Sequence, residues 1–481
     1  MKTSREYKDS LKRMKPNIYK FGELIKDVTT HPYTRRTVEG HAQIFDASHQ
    51  REYRDILTKD SDIIRSRVSR YLSLVKNTDD MIMNIKMKRL MFNLTGTCTG
   101  GRCVGCTAIN AMWATTYDVD NKIGGDYHKR LKKWLEDAQL RDITVAGALT
   151  DPKGDRSKRA SEQRDPDMSL HMVEESKEGI VVRGAKVMIC GVAAANEIFV
   201  MPGTSYNEKE RDYAVSFVIP RDIDNLTIIE ARRPSDTRES ENGFDIPVDI
   251  GGITQAYLLF EDVFIPKERV FLCGEYEYTS NAIMNFISMY RAAIGGCVAG
   301  QGDVIIGAAA LIARANGLSE KKFKDKITQM IINNETTFGL GVAAGALGYN
   351  HPSGVWIPDP LISNVNKVHV ATLPYETKRL AQEIAGGIGE TGCLPSYIDI
   401  NDPRYGELLK RYLSARCSGE TRAKIARLIE WLTIGAGVPG CMHGGGSPDG
   451  AKLVINSKSD IDRYIELVRR LIDIKEDITQ V

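Results

Sequence analysis

The chain has 481 residues, 42% of them hydrophobic and 27% charged, with a formal net charge of +2. That length exceeds one compact core and calls for two or three domains. The balanced charge leaves no footprint for nucleic acid, and no secretory h-region or run of about 18 uncharged apolar residues occurs, so a cytoplasmic protein without a membrane partner is expected.

The first stretch, residues 1–143, reads as a helical domain. Tyr53 to Leu74 and Tyr127 to Leu135 carry apolar residues at three- and four-residue spacing, and Thr78 is placed to cap another helix. The pattern changes at 144. Ile180–Ile189, Glu197–Pro202, Tyr213–Pro220 and Ala256–Pro266 are short, β-branched and aromatic, which predicts a central β domain over 144–270. Helical periodicity then returns over 271–481, in Asp303–Ala315, Lys322–Gly348, Ala371–Gly386 and Thr421–Gly435, as expected of a helical bundle. Gly295–Gly296 and the small residues near Gly341 allow close helix contact. The fold class is therefore α+β multidomain: helical, then strand-rich, then helical.

Three segments can carry chemistry. Cys98, Cys103 and Cys106 share one Gly-rich stretch, and Cys297 follows a Gly-Gly pair. Thiols so grouped in a reducing compartment suit an iron–sulfur cluster or a zinc ion, or fill a core as small apolar residues. Thr150-Asp151-Pro152-Lys153-Gly154-Asp155-Arg156 is a turn whose cations and backbone N–H groups can take an anion. His443-Gly444-Gly445-Gly446-Ser447 lacks Cβ atoms at three successive positions, useful where backbone approaches a flat ring or a phosphate. Ser447 and Pro448 should cap and open a helix. The hydrolase, P-loop and dinucleotide-binding signatures are missing.

Taken together, the motifs resemble 4-hydroxybutyryl-CoA dehydratase and its relatives, a group that includes 4-hydroxyphenylacetate 3-hydroxylase and has the acyl-CoA dehydrogenase fold. The resemblance rests on Ala146–Arg156, Glu178–Lys186, Asp212–Phe217, Val263–Pro266 and Met442–Pro448, and runs from about Tyr19 to Pro448. It implies a homotetramer or homodimer and FAD, bound by Thr150–Arg156, the strand near Cys190 and the turn of His443–Ser447. It also implies a [4Fe-4S] cluster, with Cys98, Cys103 and Cys297 matching the family's three cysteine ligands. One residue more separates the first two here.

The family's histidine ligand falls on Tyr290, and Cys106 stands where the family has Met. An all-cysteine set of Cys98, Cys103, Cys106 and Cys297 is the simplest repair, so Cys106→Ser should cost the cluster and Tyr290→Phe should leave it. The family's polar catalytic groups are also changed, at Cys190, Gln255, Ile294, Val298 and Gly440. With Tyr290, Cys190, Gln255 and His443 as the catalytic candidates, the resemblance implies a small-molecule substrate such as a CoA thioester, handled by dehydration, isomerisation or dehydrogenation. Two other readings are a flavin-dependent aromatic hydroxylase and a non-catalytic flavin- or CoA-binding homologue.

Overall fold

The computed structural model describes residues 1–96, 98, 100–232, 236, 254–392, 394–434 and 444–472. His443 and Gly440 lie outside them.

Two sheets form the centre. Six strands run in the order Glu23–Ile25, Ile18–Lys20, Leu226–Glu230, Gln255–Pro266, Gly179–Cys190, His171–Glu175. Four run in the order Val270–Cys273, Val215–Pro220, Glu197–Val200, Val145–Ala148. A core that includes Val182, Ile189, Ile198, Phe217, Leu258 and Phe260 joins them. Gln255–Pro266 alternates buried and exposed residues, as a half-buried strand should. Glu197–Val200 and Val145–Ala148 are buried throughout, because helices cover their outer side. The strands expected from the sequence are all present. The others in the two sheets, including the two near the N-terminus, were not singled out in the sequence.

A second core packs the four-stranded sheet, through Phe199, Val218 and Phe271, onto the helices Arg102–Ile123, Tyr127–Arg141 and Thr279–Ala315. A third joins Thr279–Ala315 to Lys324–Ala346, Leu373–Ala385 and Gly419–Thr433. The helical, strand-rich, helical order therefore holds. Thr279–Ala315 lies within the one described helix long and apolar enough to cross a membrane, and most of its apolar stretch is buried by neighbouring protein.

Two local expectations fail. Tyr53 to Leu74 is not a helix: one turn, Arg54–Leu57, leads into a hairpin of Thr58–Ser61 and Ser66–Ser69. Asn77, not Thr78, caps the helix Thr78–Thr95, its side chain accepting from the Asp80 N–H. Ser447 does cap Pro448–Lys458, with Pro at its first turn.

Glu197 ties the layers together. Its buried carboxylate accepts from Trp134 Nε1 (2.8 Å), Arg141 Nη2 (2.6 Å) and Arg269 Nη1 (3.0 Å). Burial pushes its pKa up, but Arg269, Arg141 and Trp134 together outweigh burial and hold it below the ordinary value. The stabilisation is therefore complete above the unfolded pKa of about 4.3 and is lost as pH falls through the folded value. Glu197→Gln should cost about 3 kcal/mol at pH 7 and less at pH 3, as read by urea unfolding at both.

Candidate active site

Two of the segments singled out in the sequence, the cysteine link and the described part of the glycine turn, Gly444–Ser447, meet at Tyr290 beside the end of the strand Gly179–Cys190. Thr78–Thr95 ends at Gly96, and Arg102–Ile123 begins after Gly101, so the cysteine segment is a short link between two helices. That link docks on the turn after Gly179–Cys190. A Cβ on Gly191 would lie 1.9 Å from the Gly100 carbonyl oxygen, and one on Gly101 would lie 2.7 Å from that of Cys190. Backbone rests on backbone there, at positive φ on both sides.

Cys98 contacts Cys297, which sits on Thr279–Ala315. Their hydrogen bond, then burial, pushes the Cys98 thiol well above the ordinary range. Burial also raises Cys103, with the Lys88 ammonium pulling the other way and Cys98 adding to the rise. Tyr290, two turns before Cys297 on the same helix, faces this group. Its phenol is held well above the usual range by burial first, then by the Cys103, Cys190, Cys98 and Cys297 thiols. Cys190 closes the set: it pairs with Gln255 across the sheet, and Gln255 Nε2 donates to its Sγ at 3.8 Å. Next to Gln255, the Thr254 hydroxyl is buried and has no partner among the described residues. The structure thus brings together Cys98, Cys103, Cys297, Cys190, Gln255 and Tyr290.

Cys106 is placed differently. The expected Gly-rich loop stops at Gly101, so Cys103 and Cys106 are both helical and lie nearly one turn apart. The Cys106 thiol is buried in a core with Met87, Met91 and Leu57. It donates to the Arg70 carbonyl at 3.7 Å and accepts from Asn84 Nδ2 at 3.8 Å. Cys106 therefore lies in that core, whereas the sequence expectation placed it with Cys98, Cys103 and Cys297 as a fourth ligand. Among the described residues no group of three His, Cys, Asp or Glu is already arranged around a metal position.

The glycine turn is held against the same place. A Cβ on Gly445 would lie 2.5 Å from the Tyr290 ring. Arg291 donates to the Gly445 carbonyl from Nε (3.0 Å) and Nη2 (2.9 Å), and to Asn364 Oδ1 from Nη1. Lys367, fully buried, donates to the Gly444 carbonyl at 2.7 Å. Burial lowers Arg291 to about 10. These cations escaped the sequence reading. Arg291 had a signal in its place next to Tyr290; Lys367 had none.

Thr150–Arg156 leaves the strand Val145–Ala148 along the sheet. The Thr150 carbonyl accepts from the Val187 N–H at 2.8 Å, and Asp151 is paired with buried Lys186 at 2.7 Å. Asp151 is thereby committed to the fold, Pro152 is half-buried, and Lys153, Gly154, Asp155 and Arg156 are exposed. The segment presents two cations to whatever lies over it.

Family models described as 4-hydroxyphenylacetate 3-hydroxylase, N terminal and C terminal, match residues 3–272 and 279–473. The chain is 38% identical to the 4-hydroxybutyryl-CoA dehydratase/vinylacetyl-CoA-Δ-isomerase of Clostridium aminobutyricum, over 98% of this chain and 99% of that one. It is 37% identical, with a TM-score of 0.95, to the solved structure of an oxygen-tolerant archaeal 4-hydroxybutyryl-CoA dehydratase from N. maritimus, covering 100% and 96%. A 4-hydroxyphenylacetate 3-monooxygenase oxygenase component solved with FAD and 4-hydroxyphenylacetate shares the fold at a TM-score of 0.86 and 22% identity, covering 98% of each chain. The acyl-CoA dehydrogenase-like architecture expected from the motifs is the one described above.

Proposed function

The chain belongs to the 4-hydroxyphenylacetate 3-hydroxylase family, and we propose that it is a dehydratase-like member: an FAD- and [4Fe-4S]-dependent enzyme acting on a CoA thioester of a small hydroxy acid. The observation that carries this reading is the gathering of the partly buried Cys98, Cys103 and Cys297 around Tyr290. A phenol hydroxylase using reduced flavin and dioxygen has no use for three converging thiols.

The donor types suit both groups, with the described thiols not yet gathered around one metal position. Soft thiolates suit iron–sulfur iron, and the three thiols already face a common neighbour. Lys153 and Arg156 suit a pyrophosphate as charge-assisted donors, and the buried Thr254 hydroxyl, without a partner among the described residues, offers a further polar group. Cys98, Cys103 and Cys297 would hold the cluster, with Tyr290 rather than Cys106 as the nearest further group. When bound, FAD supplies electron exchange with substrate and the cluster supplies a Lewis acid.

The chain's own work is binding and proton control. Burial, then the neighbouring Cys103, Cys190, Cys98 and Cys297 sulfurs, favour the neutral phenol of Tyr290, so its Oη can donate to a substrate oxygen. Gln255 donates to Cys190 from Nε2 and, as a carboxamide, supplies no general base. Ile294 and Val298 are buried and apolar. They favour a dry site and leave little proton traffic beyond Tyr290. These differences support a substrate or flavin reaction distinct from that of the dehydratases. Dehydration, isomerisation and dehydrogenation all remain within it. The same reading takes the chain as a cytoplasmic homotetramer or homodimer. Exposed Ile461, Ile465, Val468 and Leu471 on Ile461–Leu471 support a covered face.

Anaerobically purified protein should show flavin absorbance with a broad visible shoulder, equal amounts of iron and acid-labile sulfide, and turnover of a hydroxyacyl-CoA. Flavin without iron or sulfide sinks the cluster, and oxygen-dependent hydroxylation of a phenol would replace this reading with the hydroxylase.

A further inference from the structure

Two buried cations grip the glycine turn from behind. Lys367, fully buried on the helix Pro360–Val370, donates from Nζ to the Gly444 carbonyl at 2.7 Å. Arg291, 4% exposed, donates to the Gly445 carbonyl from Nε (3.0 Å) and Nη2 (2.9 Å). Its Nη1 donates to the buried Asn364 Oδ1. Among the described residues Arg291 has no carboxylate partner, so amide oxygens alone receive its charge.

Both carbonyls therefore point into the protein. In a trans peptide the C=O and the following N–H point in opposite directions. No described peptide here is cis, so the N–H groups of Gly445 and Gly446 are turned away from the cations. Neither has a hydrogen-bond partner among the described residues. Gly445 is half-buried and Gly446 exposed, which leaves that side open. The φ angles of 71° and 94° at these positions are ones that glycine adopts without strain. Each cation also draws charge from the carbonyl it holds, and hydrogen bonds in a chain polarise one another. The two N–H groups become stronger donors as a result.

The turn rests on Tyr290, whose ring lies 2.5 Å from where a Gly445 Cβ would stand. Amide donors with their cations set behind the peptide suit a neutral carbonyl that gains negative charge during reaction. A phosphate, charged from the start, is better met by direct cations such as Lys153 and Arg156.

We propose that the Gly445 and Gly446 N–H groups form an oxyanion site for the carbonyl oxygen of the CoA thioester, and that Arg291 and Lys367 are the positioning residues that aim and polarise them. The inference rests on the thioester reading above and does not depend on the iron–sulfur cluster. Dehydration, isomerisation and dehydrogenation next to a thioester all move charge onto that oxygen.

The experiment uses the flavin-loaded full chain as wild type, Lys367→Met and Asn364→Asp. The probes are butyryl-CoA and S-butyl-CoA, a thioether that lacks the carbonyl. Wild type should bind the thioester about tenfold more tightly than the thioether, the net worth of one hydrogen bond. It should also shift the carbonyl stretch of the bound, isotope-labelled thioester to lower frequency. Lys367→Met releases the Gly444 carbonyl, and Asn364→Asp sets a carboxylate against the guanidinium and dulls its pull on Gly445. Each should cut the preference to about threefold or less and shrink the shift, with thioether affinity unchanged. A merely structural Asn364 would show neither loss, since an ion pair replaces a hydrogen bond. If Lys367→Met does not fold, Asn364→Asp decides alone. An unchanged preference in Asn364→Asp overturns the proposal, as does a wild-type chain with no preference or no shift. FAD affinity that falls in both variants while the preference stays gives the donors to the cofactor and also overturns it. A wild-type chain that binds neither CoA probe overturns the thioester reading instead.

Discussion

Cys297→Ser should give a folded, flavin-loaded protein that has lost its iron and acid-labile sulfide, with turnover down about 1,000-fold. Cys297 lies immediately after Gly295–Gly296 on Thr279–Ala315, and the close approach of that helix to Thr78–Thr95 sets its reach. A Cβ on Gly296 would lie 2.0 Å from the Ile85 carbonyl oxygen, so the two helices touch through backbone. That contact holds Cys297 against Cys98 from across the link. Serine keeps the size and little of the affinity, because an alcohol is a poor ligand for iron–sulfur iron. A Lewis acid contributes several kcal/mol at the transition state, and about 4 kcal/mol is 1,000-fold in rate. Cys106→Ser is the matched control. A hydroxyl can make both contacts the Cys106 thiol makes, to Asn84 and to the Arg70 carbonyl. Its iron and sulfide should match wild type. Iron loss in Cys106→Ser with retention in Cys297→Ser would reverse the assignment and restore the ligand set suggested by the sequence.

The sequence made the strands and the long C-terminal helices legible because their signals are local. Alternation along Gln255–Pro266 and continuous apolar runs in Glu197–Val200 report burial on one face or two. It failed where the deciding partner is remote. Ile18–Lys20 joins the sheet by pairing with Leu226–Glu230, some two hundred residues away, and three residues carry no period to read. Tyr53 to Leu74 has apolar residues at helical spacing, but Arg70 donates to the Asp55, Ile56 and Thr58 carbonyls and folds the segment back on itself. The site shows the same division. Cysteines and glycines are conspicuous in the chain, and the motif resemblance brought Tyr290, Cys190 and Gln255 into view. Lys88 and Lys367 are lysines on helices, a pattern that reads as a solvated face. Only tertiary packing shows that both are buried. Cys106 was misread for a related reason: three thiols in nine residues suggest one loop, whereas the helix starts between the first and the second.

Gly191→Val should be as damaging to the cluster as loss of a ligand, although residue 191 bears no side chain and makes no bond to metal. At φ of 65° the backbone there is left-handed, which costs a non-glycine residue about 1–2 kcal/mol. The added Cβ would lie 1.9 Å from the Gly100 carbonyl oxygen and 3.3 Å from the Gly101 Cα. Backbone cannot yield as a flexible side chain can, so overpacking adds about 1–3 kcal/mol. The strain of about 3 kcal/mol falls on the link that carries Cys98 and starts the helix of Cys103. Relief comes from lifting that link off the sheet, which parts Cys98 from Cys297 and Cys103 from Tyr290. Iron and sulfide should fall together while the far β core keeps its unfolding cooperativity, as read by metal assay beside urea denaturation. Gly307→Ala provides the contrast on Thr279–Ala315. Residue 307 is exposed, its added Cβ meets nothing within 4 Å, and alanine in a helix interior should stabilise by about 0.5–1 kcal/mol with iron content unchanged. If Gly191→Val keeps its full complement of iron, the cysteine segment does not depend on the sheet for its shape, and the thiols are preorganised by the helices alone.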